Sequence, residues 1–246
     1  MVMLARDDPV ASTLVEAIRG GDLQGLERLL GEHPGLATAR IADGKGGSGT
    51  PLHIATDWPG HFPNTAAVIA MLIQAGADPN VPVDGSWHAE TPLHWAASSG
   101  DVEALDALLD TGADIEAPGA SIAGGSPLDD AVGYGQWRAA RRLVEHGART
   151  RLWHAAALGL MDRVEEAFAR TPPPPPSPEE VTEAFWQACH GGQRQSAAYL
   201  LARGADLNWV AGWDGRTPLD IARNQGAEDL VERLRGQGAR PAAELR

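Results

Sequence analysis

The stretch that decides the fold spans residues 91–114 and reads TPLHWAASSGDVEALDALLDTGAD. Thr91 suits the cap of a helix and Pro92 its first turn, while Gly100 favours the end of that helix. Apolar residues then recur at helical spacing until Gly112, which favours the end of a second helix. This apolar stripe consists of Val102, Leu105, Leu108 and Leu109. The stretch therefore predicts two short helices followed by a polar connection.

The same pattern recurs along the chain. Clear copies open at Thr50, Ser126 and Thr217, each followed by Pro-Leu. With weaker copies included, the sequence predicts seven units, which start near residues 14, 52, 93, 128, 152, 185 and 219. Because such repeats stack against their neighbours, we expect a single solenoid over residues 1–246.

Two short segments carry a resemblance to a known family. Residues 50–55 and 91–96 read Thr-Pro-Leu-His-x-Ala, and residues 76–80 and 204–208 read Gly-Ala-Asp-x-Asn. They resemble the hallmarks of the ankyrin repeat family, and the resemblance covers nearly the whole chain. It implies an all-α solenoid of helix-turn-helix units joined by hairpin-like fingers, as in stand-alone bacterial ankyrin proteins. It also implies a concave side, made of fingers and first helices, that binds a partner.

Composition narrows the choice of partners and compartment. Asp and Glu number 33 against 20 Lys and Arg, and the formal net charge is −13. This charge argues against nucleic acid and membranes and favours a protein or peptide with basic residues. The single cysteine, Cys189, excludes an internal disulfide and is expected in the core. With no signal-like or membrane-spanning run, we expect a cytoplasmic protein, and residue spacing predicts neither metal nor cofactor.

Tryptophan is unusually frequent, with 8 Trp against 3 Phe and 2 Tyr. By register, the ends of the first helices and the fingertips share one side, which places many of these rings in the expected groove. Exposed aromatic residues in a concavity are typical of binding surfaces, whereas packing between fingers is the alternative for any single ring. The expected binding residues are Asp57, Trp58, His61, Phe62, Trp87, His88, Glu90, Trp95, Tyr134, Trp153, Trp186, His190, Trp209, Trp213 and Asp214.

Three segments depart from the repeat. Residues 57–64 hold an insertion with two prolines, which is either a stiff binding loop or a cover that packs over a helix end. Residues 171–178 predict a polyproline strap, with an SH3-type ligand as the alternative, before a helix that Ser177 caps. Residues 44–49 are rich in glycine and predict a long fingertip, with an anion-binding nest as the alternative.

Titratable residues support a second hypothesis, a small-molecule or catalytic pocket under the 57–64 loop. The motif histidines His53 and His94 are expected to be structural. Asp130 and His154 align one position later, where apolar residues are normal, and form either a structural pair or a poised acid–base pair. If the chain is an enzyme, its acid–base residues are Asp57, His61, His94, Asp129, Asp130 and His154. Protein or peptide binding is the first hypothesis, and catalysis is left open.

Overall fold

The computed structural model describes residues 2–85, 88–169 and 174–245, which excludes the predicted binding residue Trp87 and residues 171–173 of the predicted strap. The chain divides into two compact units, Met1–Ala148 and Arg149–Arg246. The described residues contain fourteen α-helices in stacked pairs, which confirms the predicted all-α repeat architecture. That the repeats form one solenoid over residues 1–246 stays a prediction.

The first unit holds four helix pairs. First helices α1, α3, α5 and α7 pack in a row, and second helices α2, α4, α6 and α8 form a parallel row beside them. Their bounds are α1 Pro9–Gly20, α2 Leu23–Glu32, α3 Pro51–Thr56, α4 Thr65–Gln74, α5 Pro92–Ser99, α6 Val102–Asp110, α7 Pro127–Gly133 and α8 Trp137–Glu145.

The second unit holds three pairs, in which α11 packs against α9, α12 and α13. Phe185 lies at its centre and is fully buried. The bounds are α9 Leu152–Leu158, α10 Met161–Ala169, α11 Pro178–His190, α12 Arg194–Leu201, α13 Pro218–Asn224 and α14 Glu228–Gly236. A short 3₁₀ turn covers Ala242–Glu244 in this unit, and another covers Leu36–Thr38 in the first unit.

The first helices approach each other closely because their shared face is thin. Ala96 and Ala97 of α5 are fully buried, and so are Leu93 and Leu128 at the equivalent positions of α5 and α7. Small side chains on this face bring the neighbouring helices together, while one leucine per repeat supplies the volume that fills the interior. The periodic leucines of the sequence are therefore the core of each stack.

The second helices end as the Gly-Ala segments predict. Gly76, Gly112 and Gly147 adopt φ of 97°, 96° and 95°, a conformation that costs residues with a Cβ. The amide of the following alanine then bonds back into the last turn, as Ala113 N–H does to the Leu108 carbonyl at 3.0 Å. The chain is thereby turned toward the next finger.

The first finger forms a small sheet that the sequence did not predict. Strand β2 (Arg40–Ala42) pairs antiparallel with β3 (Ser48–Gly49) and parallel with β1 (Met3–Leu4). At the predicted glycine-rich fingertip, Asp43 Oδ1 accepts the amides of Lys45 and Gly47 at 2.6 and 2.9 Å. The Asp43 carboxylate therefore already accepts hydrogen bonds from amides that an anion-binding nest would offer to a ligand.

The helix that follows the proline run starts where its sequence signals predicted. Ser177 N–H donates to Glu180 Oε2 at 2.8 Å, and Ser177 Oγ accepts from Glu180 N–H at 3.2 Å. This reciprocal cap starts α11 at Pro178, so the unit assigned near Phe185 has a first helix that begins earlier and is longer than its counterparts.

We expect Gly112→Ala to lower the free energy of unfolding by about 1–3 kcal/mol, because the residue has a φ of 96°. A Cβ at Gly112 meets no atom within 4 Å, so the cost comes from the backbone alone. Gly31→Ala is the matched control, since Gly31 lies within α2 in equally open space. Alanine should stabilise that helix by about 0.5–1 kcal/mol in denaturant unfolding. Equal effects at both sites would contradict this assignment.

Candidate functional site

The motif histidines join the start of one helix to the next finger. Thr50 N–H donates to His53 Nδ1 at 3.2 Å, so the ring proton sits on Nε2, which donates to the Glu90 carbonyl at 3.1 Å. His94 is placed in the same way, with Nδ1 bound by Thr91 N–H at 3.0 Å. Burial is the main cause that lowers the pKa of both histidines to about 4, so they are neutral. Both positions are structural.

Carboxylates fill the same position in other repeats. Asp129 Oδ2 accepts the Ser126 amide at 2.8 Å, and Asp220 Oδ2 accepts the Thr217 amide at 3.1 Å. Asp129, predicted as an acid–base residue, is therefore placed as a helix cap. Asp220 also accepts the Ala242 amide at 2.8 Å, which holds the C-terminal 3₁₀ turn.

His154 also caps the helix that contains it. Arg151 is the N-cap of α9 and its N–H donates to His154 Nδ1 at 3.1 Å. Counted from this cap, Leu152 stands where other repeats have proline. Counted from the helix end, His154 keeps the predicted position of Trp95 and Asp130, because Leu160 N–H bonds to the Ala155 carbonyl as Asp101 N–H does to that of Ala96. A pair between His154 and Asp130 stays a prediction.

Asp130 is a buried charged residue that does not cap a helix. It lies in α7, is fully buried, and its Oδ1 accepts Ser121 Oγ at 2.8 Å and the Ile122 amide at 3.0 Å. Within the described residues its other oxygen, Oδ2, is buried and has no hydrogen-bond partner. Burial is the main cause that raises the pKa of Asp130.

Glu90, Trp95 and Tyr134 are connected to this carboxylate, Glu90 through its charge and the other two through hydrogen bonds to Glu90 and Ser121. Glu90 is half-buried, and burial followed by the charge of Asp130 raises its pKa, while Trp95 donates a hydrogen bond to it. The Tyr134 ring is 53% exposed, and its hydroxyl lies 3.0 Å from Ser121 Oγ. Sequence reasoning selected Glu90, Trp95 and Tyr134 but missed Ser121, because fingers vary in length and carry no periodic signal.

The 57–64 loop is fixed at its base and leaves Trp58 free of packing. Asp57 pairs with Arg19 at 2.6 Å, Asn64 Nδ2 donates to the Gly21 carbonyl at 2.9 Å, and the His61 amide bonds to the buried Asp101 carboxylate. These contacts reach the repeats on either side of the loop. Trp58 is 78% exposed.

Two other predicted side chains of this segment lie near its anchors. The Phe62 ring centroid is 5.8 Å from the Arg19 guanidinium carbon, and the exposed His61 ring lies 3.8 Å from Asp101 Oδ1. His88, from the next finger, is also exposed. Asp101 was missed, although its place after Gly100 and before α6 is a recognisable cap signal.

The second unit gathers tryptophans on its last finger. Trp213 is 57% exposed and lies edge-on to Trp186 and Trp209, with ring centroids 5.3 and 5.2 Å apart. The buried Trp186 donates from its indole nitrogen to the Arg216 carbonyl at 3.2 Å. Trp186, Trp209 and Trp213 therefore pack together, as the alternative for individual rings allowed, while Trp213 still faces solvent.

The remaining predicted residues of this unit have different surroundings. The His190 ring lies 5.4 Å from Trp186, and burial is the main cause that lowers its pKa to about 4. Trp153 stacks on His154 at 3.8 Å, and Asp214 Oδ1 accepts the Arg216 amide in the finger turn. Cys189 is buried, as expected for a core residue.

The described residues hold no group of three or more His, Cys, Asp or Glu arranged to bind a metal ion. In the same part of the chain, every helix is too short or too polar to span a lipid bilayer.

Comparison with known proteins agrees with this geometry. Residues 64–154 match the family described as ankyrin repeats, in three copies. Residues 64–154 thus carry ankyrin repeats.

Curated relatives extend the similarity of these ankyrin repeats. The ankyrin repeat and KH domain-containing protein mask-1 of Caenorhabditis elegans is 26% identical over 95% of this chain and 9% of its own length. Palmitoyltransferase ZDHHC13 of Mus musculus is 36% identical over 30% of this chain and 11% of its own, and the Homo sapiens protein is 38% identical over 22% and 8%. The chain thus spans about a tenth of the length of these relatives.

We expect the stability of the folded chain to fall as the pH drops from about 6.5 to about 4. The lowered pKa of His53 means that the unfolded chain binds a proton in this window while the folded chain does not. The stability that neutral His53 contributes is complete above pH 6.5 and is lost as the pH falls to about 4. His53→Asn should flatten this dependence by on the order of 1–3 kcal/mol in urea unfolding across the window.

The raised pKa values of Glu90 and Asp130 act in the opposite direction, but they are present in both proteins and cancel in the comparison. His33→Asn is the matched control for the histidine-to-asparagine replacement, because His33 is exposed. An identical profile for His53→Asn and the parent protein would contradict a buried neutral His53.

Proposed function

We propose that the chain is a protein- or peptide-binding ankyrin module whose main contact lies in the first unit. The proposed binding surface of that unit consists of Trp58, Glu90, Trp95 and Tyr134. The exposure of Trp58, at 78%, is the observation that carries the proposal. A large ring held in water by a loop is a costly arrangement that is typical of an interface hot spot.

The anchoring of the loop supports the same function. Contacts from Asp57, His61 and Asn64 hold its base against two neighbouring repeats. The base is thereby fixed while Trp58 stays exposed, so binding needs little further ordering of the backbone. Low ordering cost leaves more of the contact energy as affinity.

Charge supports a basic partner. The chain has an excess of 13 acidic residues, and Glu90 and Asp130 lie beside the aromatic side chains of the surface. Opposite charge accelerates encounter and suppresses binding of acidic competitors. A partner segment with Lys or Arg next to apolar residues fits this surface.

The tryptophans of the second unit support a further contact. Trp213 is 57% exposed at the tip of the last finger and is braced by Trp186 and Trp209. A braced ring loses little side-chain entropy on binding. We assign this cluster the lesser role because Trp186 itself is buried and packs the core.

The alternative, an acid–base pocket under the 57–64 loop, has less support. Asp57 pairs with Arg19, and His94 and Asp129 cap helices, so three of its predicted residues have structural partners. The comparisons with palmitoyltransferases cover only a minor part of those proteins and supply no reason to assign their activity to this chain.

We expect Trp58→Ser to weaken binding about 30-fold, the loss typical of a hot-spot residue, without changing the melting temperature. The chain is first used as bait to isolate a stoichiometric protein partner, and Kd is then measured by calorimetry. Met3→Ser is the control, since Met3 is an exposed apolar residue outside the surface, 58% exposed. Recovery of a co-purifying metabolite in place of any partner would contradict the proposed function.

A further inference from the structure

Asp130 stands at a position that its neighbours fill with apolar side chains. The residue after the capping position is Ile54 in α3 and Trp95 in α5, and it is Asp130 in α7. Residues at one position of stacked repeats lie next to each other. A charge has therefore been placed at the end of an apolar row, where its removal from water is unfavourable unless it is paired.

The finger before α7 donates hydrogen bonds to one of the two carboxylate oxygens of Asp130. Oδ1 accepts both Ser121 Oγ and the Ile122 amide, at 2.8 and 3.0 Å. Oδ2 is buried and has no hydrogen-bond partner among the described residues. A proton on Oδ2 would not resolve this, because the resulting hydroxyl would itself need an acceptor.

The surroundings of Asp130 add negative charge. The charge of Asp130 acts on Glu90, and both carboxyl groups accept hydrogen bonds from Ser121, so both lie beside the finger that precedes α7. His88, exposed on the same finger as Glu90, is a nearby basic group that acts on Glu90. Two carboxyl groups, an indole and a phenol form the surroundings that bind organic cations in proteins.

On this basis we propose that Asp130 and Glu90 bind a basic side chain of the partner, whose ammonium or guanidinium N–H donates to Asp130 Oδ2. Trp95 forms one wall of this cation site. Tyr134 borders the site on the solvent side, because the residue is 53% exposed and its hydroxyl lies 3.0 Å from the Ser121 Oγ that donates to Asp130. The assignment rests on the proposed function and names the chemistry that the surface recognises.

The test uses N-acetyl-lysine methylamide and N-acetyl-arginine methylamide as probes, with the neutral N-acetyl-norleucine methylamide as their control. The full chain carries ¹⁵N in its tryptophan indoles, and the Trp95 resonance is assigned from Trp95→Phe. We expect a saturable shift of this resonance with one or both cationic probes and none with norleucine. Equal shifts with all three probes, or no saturable shift with either cation, would overturn the assignment.

Two variants separate the cation contact from folding. Asp130→Asn retains an acceptor for the Ser121 and Ile122 contacts and removes the charge, so its cation affinity should fall at least tenfold. Glu90→Gln should weaken binding as well and serves if Asp130→Asn lowers the melting temperature. Asp110→Asn, at an exposed position of α6, is the control for net charge and should bind as the parent protein does. Unchanged cation affinity in both site variants would refute the site.

Failure of this inference is distinguishable from failure of the proposed function. If an isolated protein partner binds the parent chain and Asp130→Asn equally well, the cation site is wrong and the binding module stands. If the lysine or arginine probe binds and depends on Asp130 while no protein partner is recovered, the site stands and the proposed protein-binding role is wrong.

Discussion

The contact made by the third residue of α3, α5 and α7 is the constraint on which the rest of the first unit depends. His53 accepts the amide of Thr50 on one side of its ring and donates to the Glu90 carbonyl on the other. One side chain thereby satisfies an orphan group at the helix start and a carbonyl of the next finger. Both roles require a neutral ring, because a protonated Nδ1 would point a second donor at the Thr50 amide. Burial maintains this state by lowering the pKa of His53.

Signals that act within one helix were predictable from the sequence. Ser177, Pro178 and Glu180 lie within four residues of each other and predicted the start of α11. Gly112 predicted the end of a helix for the same reason. Where a local signal is missing, the cap was not predictable: Leu152 replaces the usual proline, and only the Arg151 amide identifies His154 as the residue that caps α9.

Contacts of the fingers and the inserted loop were not predictable, because they join residues far apart in the sequence and follow no period. The His61 amide bonds to a carboxylate 40 residues away, and Arg19 pairs with Asp57 across 38 residues. In the candidate site, the position of Asp130 was predictable from the repeat, but its partners were not. Asp130 was detectable as a charge at an apolar position, but its predicted partner was His154, whereas its observed partners are Ser121 and Ile122.

The two oxygens of Asp130 separate what folding requires from what it does not. Docking of the finger requires an acceptor, and Oδ1 alone supplies it to Ser121 and Ile122. An asparagine would offer the same acceptor without a buried charge, so finger docking does not explain why a carboxylate stands there. Glu90 has two roles. Its backbone carbonyl accepts a hydrogen bond from the His53 ring, and the charge of Asp130 contributes to the raised pKa of its carboxyl group. The backbone that sets the repeat spacing thus also positions the second carboxyl group, and a cation bound between the two would be held by the same contacts that hold the stack.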